Sequence, residues 1–174
     1  MGSGKTLALV GAVLALATLA LSFIVPNIFG WYRIEASGMG MTAGIYFTGL
    51  GTLATVPAGM MPGGGFAIFE LIGGICLIIG SIACIIAGVK ESKAAGIIGG
   101  VLILLSPLIL IIELLVGAGD FALLIQTLTG PAGASVFWGS YLIAPGVTLS
   151  WGIWIGTFLS LGAGVLGLAG GASV

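Results

Sequence analysis

Two acidic residues inside long apolar stretches are the first candidates for chemistry. Glu70 precedes LIGGICLIIG and Glu113 follows LILII in a chain of 174 residues. Charged groups within hydrophobic segments are costly and are often functional. The chain has no histidine and only two cysteines, so we expect no Ser-His or Cys-His catalytic site and no metal centre. The sequence therefore predicts a protein that is not an enzyme and that binds no cofactor.

The first residues, MGSGKT, end like a phosphate-binding P-loop, whose pattern is G-x-x-x-x-G-K-[ST]. That motif needs a strand before the loop, and Gly4, Lys5 and Thr6 leave no room for one. We expect no nucleotide site here. Lys5 is better explained as an anchor for the apolar segment that follows it.

The composition indicates that lipid is the main solvent. Hydrophobic residues make up 59% of the chain and charged residues 5%, too few charges for an ordinary water-facing surface. The net charge of -1 provides no basic surface for nucleic acid phosphates. The expected surroundings are membrane lipids, with no nucleic acid partner.

Four stretches are long enough to cross a hydrocarbon core of about 30 Å, which takes about 20 helical residues. They cover residues 6–29, 66–89, 94–116 and 150–169. Backbone polar groups in lipid must be hydrogen-bonded internally, which favours helices. The sequence thus predicts an all-α membrane protein, a single domain with a bundle of four transmembrane helices and two outer loops, 30–65 and 117–149.

The few basic residues predict the orientation. Lys5, Lys90 and Lys93 fall on one side of a four-span chain, which the positive-inside rule assigns to the cytoplasm. Both termini are then cytoplasmic, and Arg33 lies outside. Glu70 lies as many residues before Lys90 as Glu113 lies after Lys93, so antiparallel helices place both carboxylates at one level near the outer boundary. We expect an Arg33-Glu70-Glu113 polar cluster that ties three helices to the outer loops; the alternative is a carboxylate that lines an ion or proton path.

The outer loops are too long to be simple turns, since helix connections in bundles usually span about 2–8 residues. Strands are expected over 31–36, 44–50, 52–56 and 135–143, and a short helix over 120–128, which together form a small β-rich cap. Aromatic residues concentrate on this side, and five are expected to make contacts in the cap: Trp31, Tyr32, Tyr46, Trp138 and Tyr141. Trp151 and Trp154 are expected to anchor the start of the fourth helix at the interface.

Small residues recur every four positions in two of the predicted helices. The second helix carries Cys76, Gly80, Cys84 and Gly88, and the fourth carries Gly152, Gly156, Ser160 and Gly164. Small residues let membrane helices approach closely. We expect these stripes to pack within one bundle; contact between copies is the alternative.

The layout resembles that of claudins and the peripheral-myelin-protein-like tetraspan proteins. The likeness is carried by Val25-Pro26, by Trp31 just beyond the first helix, and by Gly49-Leu50-Gly51, where that family has Gly-Leu-Trp. The resemblance implies lateral assembly through the outer loops.

Two function classes follow. The first is a structural or accessory membrane protein that assembles with itself or with other membrane subunits through its outer loops and glycine-rich helix faces. The alternative is a small oligomeric channel or transporter.

Overall fold

The computed structural model describes residues 2–57, 68–116, 135 and 137–174. Four of its helices are long and apolar enough to cross a membrane, as predicted. They are α1 (Ser3–Ile24), α3 (Ile68–Lys90), α4 (Lys93–Val116) and α5 (Ile155–Ala172). The helix expected over 120–128 lies outside the described residues.

The first membrane helix ends where proline forces it to. Pro26 has no N–H and disfavours helical geometry in the residue before it, and Val25 accordingly leaves the helix at φ -134° and ψ 66°. A single turn, α2 (Pro26–Phe29), restarts with proline in its first turn. The predicted span over 6–29 is therefore one long helix and one short one.

Glycines set the spacing of the bundle, in which α1 and α4 each pack between α3 and α5. A Cβ at Gly11 of α1 would lie 2.6 Å from the Gly167 nitrogen of α5, and one at Gly80 of α3 would lie 2.6 Å from the Gly99 oxygen of α4. These backbones are nearly in contact, as small residues permit in membrane helices.

Five antiparallel strands form a sheet in the order β3-β2-β1-β5-β4. They are β1 (Tyr32–Gly38), β2 (Met41–Phe47), β3 (Leu53–Val56), β4 (Trp138–Ala144) and β5 (Val147–Ile153). The central pair, β1 and β5, joins the two outer segments in one sheet. A helical membrane protein with a small β cap is thus what the structure shows.

The fourth membrane helix was predicted to start near Ser150, and this boundary is wrong. Ser150, Trp151 and Gly152 belong to β5, and the helix begins at Ile155. Trp151 and Ile153 are buried on the same side of the strand. β-branched and aromatic residues suit a half-buried strand, and pairing with β1 decides between helix and strand here.

The first hairpin is longer than predicted because its turn needs only two residues. Gly38 pairs with Met41, and the intervening Met39 and Gly40 have φ values of 52° and 78°. Positive φ at both positions defines a type I′ turn, whose twist matches that of the flanking strands.

The lysines and the sheet lie at opposite ends of the bundle. Lys5 of α1 forms an ion pair with Glu91 in the turn between α3 and α4. At the other end, the backbone nitrogen of Gly156, in the first turn of α5, donates to the Gly30 oxygen just before β1.

Candidate functional site at the junction of the sheet and the helices

A carboxylate on the central strand organises a polar network. Arg33 and Glu35 share one face of β1 because side chains alternate along a strand, and the Arg33 Nη1 lies 2.7 Å from the Glu35 Oε2. Tyr46 lies opposite Arg33 on β2 and donates its hydroxyl to Glu35 Oε1 at 2.7 Å. Both carboxylate oxygens are therefore engaged.

Tyr46 is almost fully buried, and its surroundings disfavour ionisation of its phenol. Burial raises the pKa of the Tyr46 phenol well above its ordinary value; the hydrogen bond to Glu35 and the charge of Glu35 add to the rise, and the charge of Arg33 opposes it. The pKa of Tyr32 is raised by burial as well.

The Arg33 guanidinium also covers the indole ring of Trp154. Its central carbon lies 3.4 Å from the ring centroid, within the range of a cation–π interaction. Trp154 in turn donates its indole N–H to the Asn27 oxygen of α2 at 3.0 Å. Arg33 thereby links the sheet to the segments where α1 leaves and α5 enters the bundle.

The predicted Arg33-Glu70-Glu113 cluster is wrong in its first member. Arg33 is held by Glu35 and Trp154, and neither of the two ion pairs described joins Arg33 to Glu70 or Glu113. The reason is local: a carboxylate two positions along the same strand is nearer than any on another element.

The turn between β2 and β3 fixes the sheet to the helices. The Gly49 nitrogen donates to Ser22 Oγ of α1 at 3.2 Å, and a Cβ at Gly74 of α3 would lie only 2.4 Å from the Gly49 oxygen. The hydroxyls of Thr48 and Thr52 meet at 2.6 Å and close the turn. Sequence reasoning singled out Gly49-Leu50-Gly51 but missed both threonines, although threonine commonly stabilises turns through its side chain.

Trp31 lies at the base of the cap and is fully buried. Its backbone oxygen accepts hydrogen bonds from the Trp154 nitrogen at 2.9 Å and the Thr157 hydroxyl at 2.7 Å. Its ring packs against Gly49 and Gly156. Trp31 therefore joins the cap to α5 and is not available on the outer surface.

The other aromatic residues expected in the cap divide by exposure. Tyr32 and Tyr46 are buried, and Tyr141 is half-buried with its ring edge-on to Trp151 at 6.1 Å. Trp151 donates its indole N–H to the Ser135 oxygen and so stabilises the sheet instead of anchoring a helix. Trp138, by contrast, is 58% exposed.

The small-residue stripes are used inside the bundle. Their partners are internal at each position where a close contact is described: Gly80 packs on α4, Gly88 on Leu9, Cys84 on Gly99, Gly156 on Phe29 and Gly30, and Gly164 on Leu104. Ser160 is buried and Cys76 half-buried. Gly152 is not part of the helical stripe, because it lies in β5 beneath the Trp138 ring.

Glu70 and Glu113 are both buried, at 1% and 6% exposure. Gly73 faces Ser106 across the α3–α4 interface, as Gly80 faces Gly99. This antiparallel register places Glu70 within about one helical turn of Glu113, in agreement with the predicted common level. Glu113 also lines an apolar cavity of about 270 Å³, together with Phe69, Ile109, Ile112 and Val116.

Two side chains near this end of α3 and α4 are buried without a described partner. Both carboxylate oxygens of Glu70 and the hydroxyl oxygen of Ser106 have no hydrogen-bond partner among the described residues. The same residues contain no cluster of three or more His, Cys, Asp or Glu side chains that could hold a metal ion.

The four apolar helices and the small sheet are compatible with a tetraspan-like layout. No protein-family model and no curated protein matches the chain.

Proposed function

We propose that this chain is a structural or accessory integral membrane protein that assembles with itself, or with other membrane subunits, through the distal end of its sheet. The observation that carries the proposal is a group of exposed apolar side chains at that end. Met39 and Met41 are 83% and 74% exposed, and Leu142 and Ile143 are 65% and 46% exposed. We call these four residues the distal patch.

The strand register brings the parts of the distal patch together. Gly38 at the end of β1 pairs with Val147 at the start of β5, so the two hairpin turns lie side by side. Seven-residue strands at about 3.3 Å per residue carry the patch some 20 Å from the strand ends that join the helices. Apolar side chains clustered in water often mark an interaction surface, and methionine adapts readily to partners.

The glycine-rich faces contribute less to this proposal than the sequence suggested. Their described contacts are within the bundle, so we assign assembly to the cap alone. The channel alternative is less well supported. The central turns of the four helices carry no charged residue, and a transport site is expected near the bilayer midplane.

The double substitution Met39→Ser/Met41→Ser tests the proposal. We expect the wild-type protein in mild detergent to have a protein mass above that of one chain, measured by light scattering with the detergent subtracted. The double variant should have the mass of a single chain, because half of the distal patch has become polar.

The matched control is Val13→Ser/Val165→Ser, which removes two apolar side chains of 62% and 57% exposure from the helices. It should leave the mass unchanged. The proposal fails if the wild type purifies as a lone single chain, or if the methionine variant assembles like the wild type. Cation flux through liposomes containing the wild-type assembly would favour the channel instead.

A further inference from the structure

We propose that Glu70 and Ser106 form part of a binding site for a hard metal cation, which fastens α3 to α4 beside the turn between β2 and β3. The inference concerns the helices and is independent of the proposed assembly through the distal patch. It begins from a carboxylate that is 1% exposed and whose two oxygens have no partner among the described residues.

No cationic side chain is paired with Glu70 in the described protein, and the only described compensation for its charge is its place in the first turn of α3, at the positive end of the helix dipole. A buried charge is costly unless it is paired, and the nearest candidate, Arg33, is committed to Glu35 and Trp154. Lys5 is paired with Glu91 at the other end of the bundle, and Lys90 and Lys93 flank the same turn.

The donor atoms at this level are oxygens. Ser106, 1% exposed and with an unpartnered hydroxyl oxygen, lies across from Gly73, whose Cβ would be 3.5 Å from the Ser106 Oγ. Pro107 follows inside α4 and has no N–H, so the Ile103 carbonyl lacks its usual donor four residues later. Carboxylate, hydroxyl and carbonyl oxygens are the ligands of hard cations such as Na⁺ and Ca²⁺, not of Zn²⁺ or Cu⁺.

Water alone would not neutralise the charge of the Glu70 carboxylate. A buried water can satisfy the Ser106 hydroxyl, since such waters typically make about three hydrogen bonds. A neutral molecule does not offset the charge of a carboxylate, whereas a cation does. The site is near the cap because Gly74, four residues after Glu70, contacts the Gly49 oxygen, so a bound cation would stabilise the junction between helices and sheet.

Thermal unfolding of the full-length protein tests this. The protein is purified in detergent with a chelator and choline chloride, and NaCl, KCl, CaCl₂ or MgCl₂ is then added at constant ionic strength and pH. We expect one of these cations to raise the Tm saturably, by about 5–10 °C at a hundredfold excess over its Kd. The four salts distinguish a monovalent from a divalent site.

Glu70→Gln should abolish this response, and Glu91→Gln, which removes an exposed carboxylate at the other end, should preserve it. Ser106→Ala keeps the helix and should shift the response to higher cation concentration; it also tests the site if Glu70→Gln does not fold. The proposal is overturned if no metal cation stabilises the wild type more than choline does, or if the Glu70 or the Ser106 variant responds like the wild type. Stabilisation by lower pH without any metal effect would assign the site to a proton and would likewise overturn it.

Discussion

At the scale of single residues, the contrast between two carboxylates is informative. Glu35 on β1 has both oxygens engaged by Arg33 and Tyr46, whereas both oxygens of Glu70 have no described partner. Polar groups with all their hydrogen bonds made stabilise and specify a structure, whereas a buried group without partners needs an explanation such as a water molecule, an ion or a functional role. The Glu35 network is thus structural, and Glu70 is the position where we expect binding.

The Tyr46 network predicts a loss of stability at alkaline pH. Tyr46 is neutral when protonated, and its pKa in the folded protein is raised above the ordinary value of about 10. Its contribution is therefore complete below about pH 10 and is lost as the pH rises towards the raised pKa. Tyr32, raised by burial, acts in the same direction.

Tyr46→Phe should make the Tm fall less steeply between neutral and alkaline pH, measured by thermal unfolding in detergent. At neutral pH it should cost about 1–3 kcal/mol, because a half-buried acceptor oxygen of Glu35 loses its donor. A pH profile identical to that of the wild type would show that the hydroxyl contributes nothing to this linkage.

At the scale of elements, helix packing depends on a few glycines in close contact. A Cβ at Gly11 would meet the Gly167 nitrogen at 2.6 Å and the Ala163 oxygen at 2.7 Å, whereas one at Gly162 would meet no heavy atom within 4 Å. Gly11→Ala should therefore separate α1 from α5 and cost about 1–3 kcal/mol. Gly162→Ala is the matched control and should be neutral or stabilising by up to about 1 kcal/mol.

Unfolding of both glycine variants in mixed micelles with increasing SDS would measure this difference. Equal effects of the two substitutions would mean that α1 and α5 are not in backbone contact. Helices favour alanine over glycine at both positions, whereas the added Cβ meets neighbouring backbone only at Gly11. The comparison therefore separates the effect of close packing from that of helix propensity.

The elements also show how far the sequence determines the fold. Helices α3 and α4 were predicted to within a few residues because Lys90 and Lys93 interrupt two long apolar runs. Strand β5 was missed because a short apolar run suits a helix or a strand equally well, and its pairing with distant β1 decides. For Arg33, the sequence predicted the end of the bundle at which it lies but not its pairing with Glu35. The spacing of two residues could have indicated that pairing, because residues two apart on a strand share a face.

At the scale of the whole molecule, the lysines and the tryptophans of the described residues lie at opposite ends of the bundle. Lys5, Lys90 and Lys93 lie at one end, and the sheet with its tryptophans lies at the other. From the positive-inside rule we propose that the lysine end, and with it both termini, is cytoplasmic. The distal patch would face the exterior, where it could meet neighbouring subunits.

Cysteine labelling tests this orientation, starting from a protein with Cys76→Ala and Cys84→Ala. Met41→Cys lies in the distal patch and Ser173→Cys at the lysine end, and both positions are exposed. A membrane-impermeant maleimide added to intact cells should label the first, and should label the second only after permeabilisation. The reverse pattern would keep the four spans and refute the assigned orientation. Labelling of both positions in sealed cells would place them on the same side and would refute the single crossing by α5 between the sheet and the C-terminus.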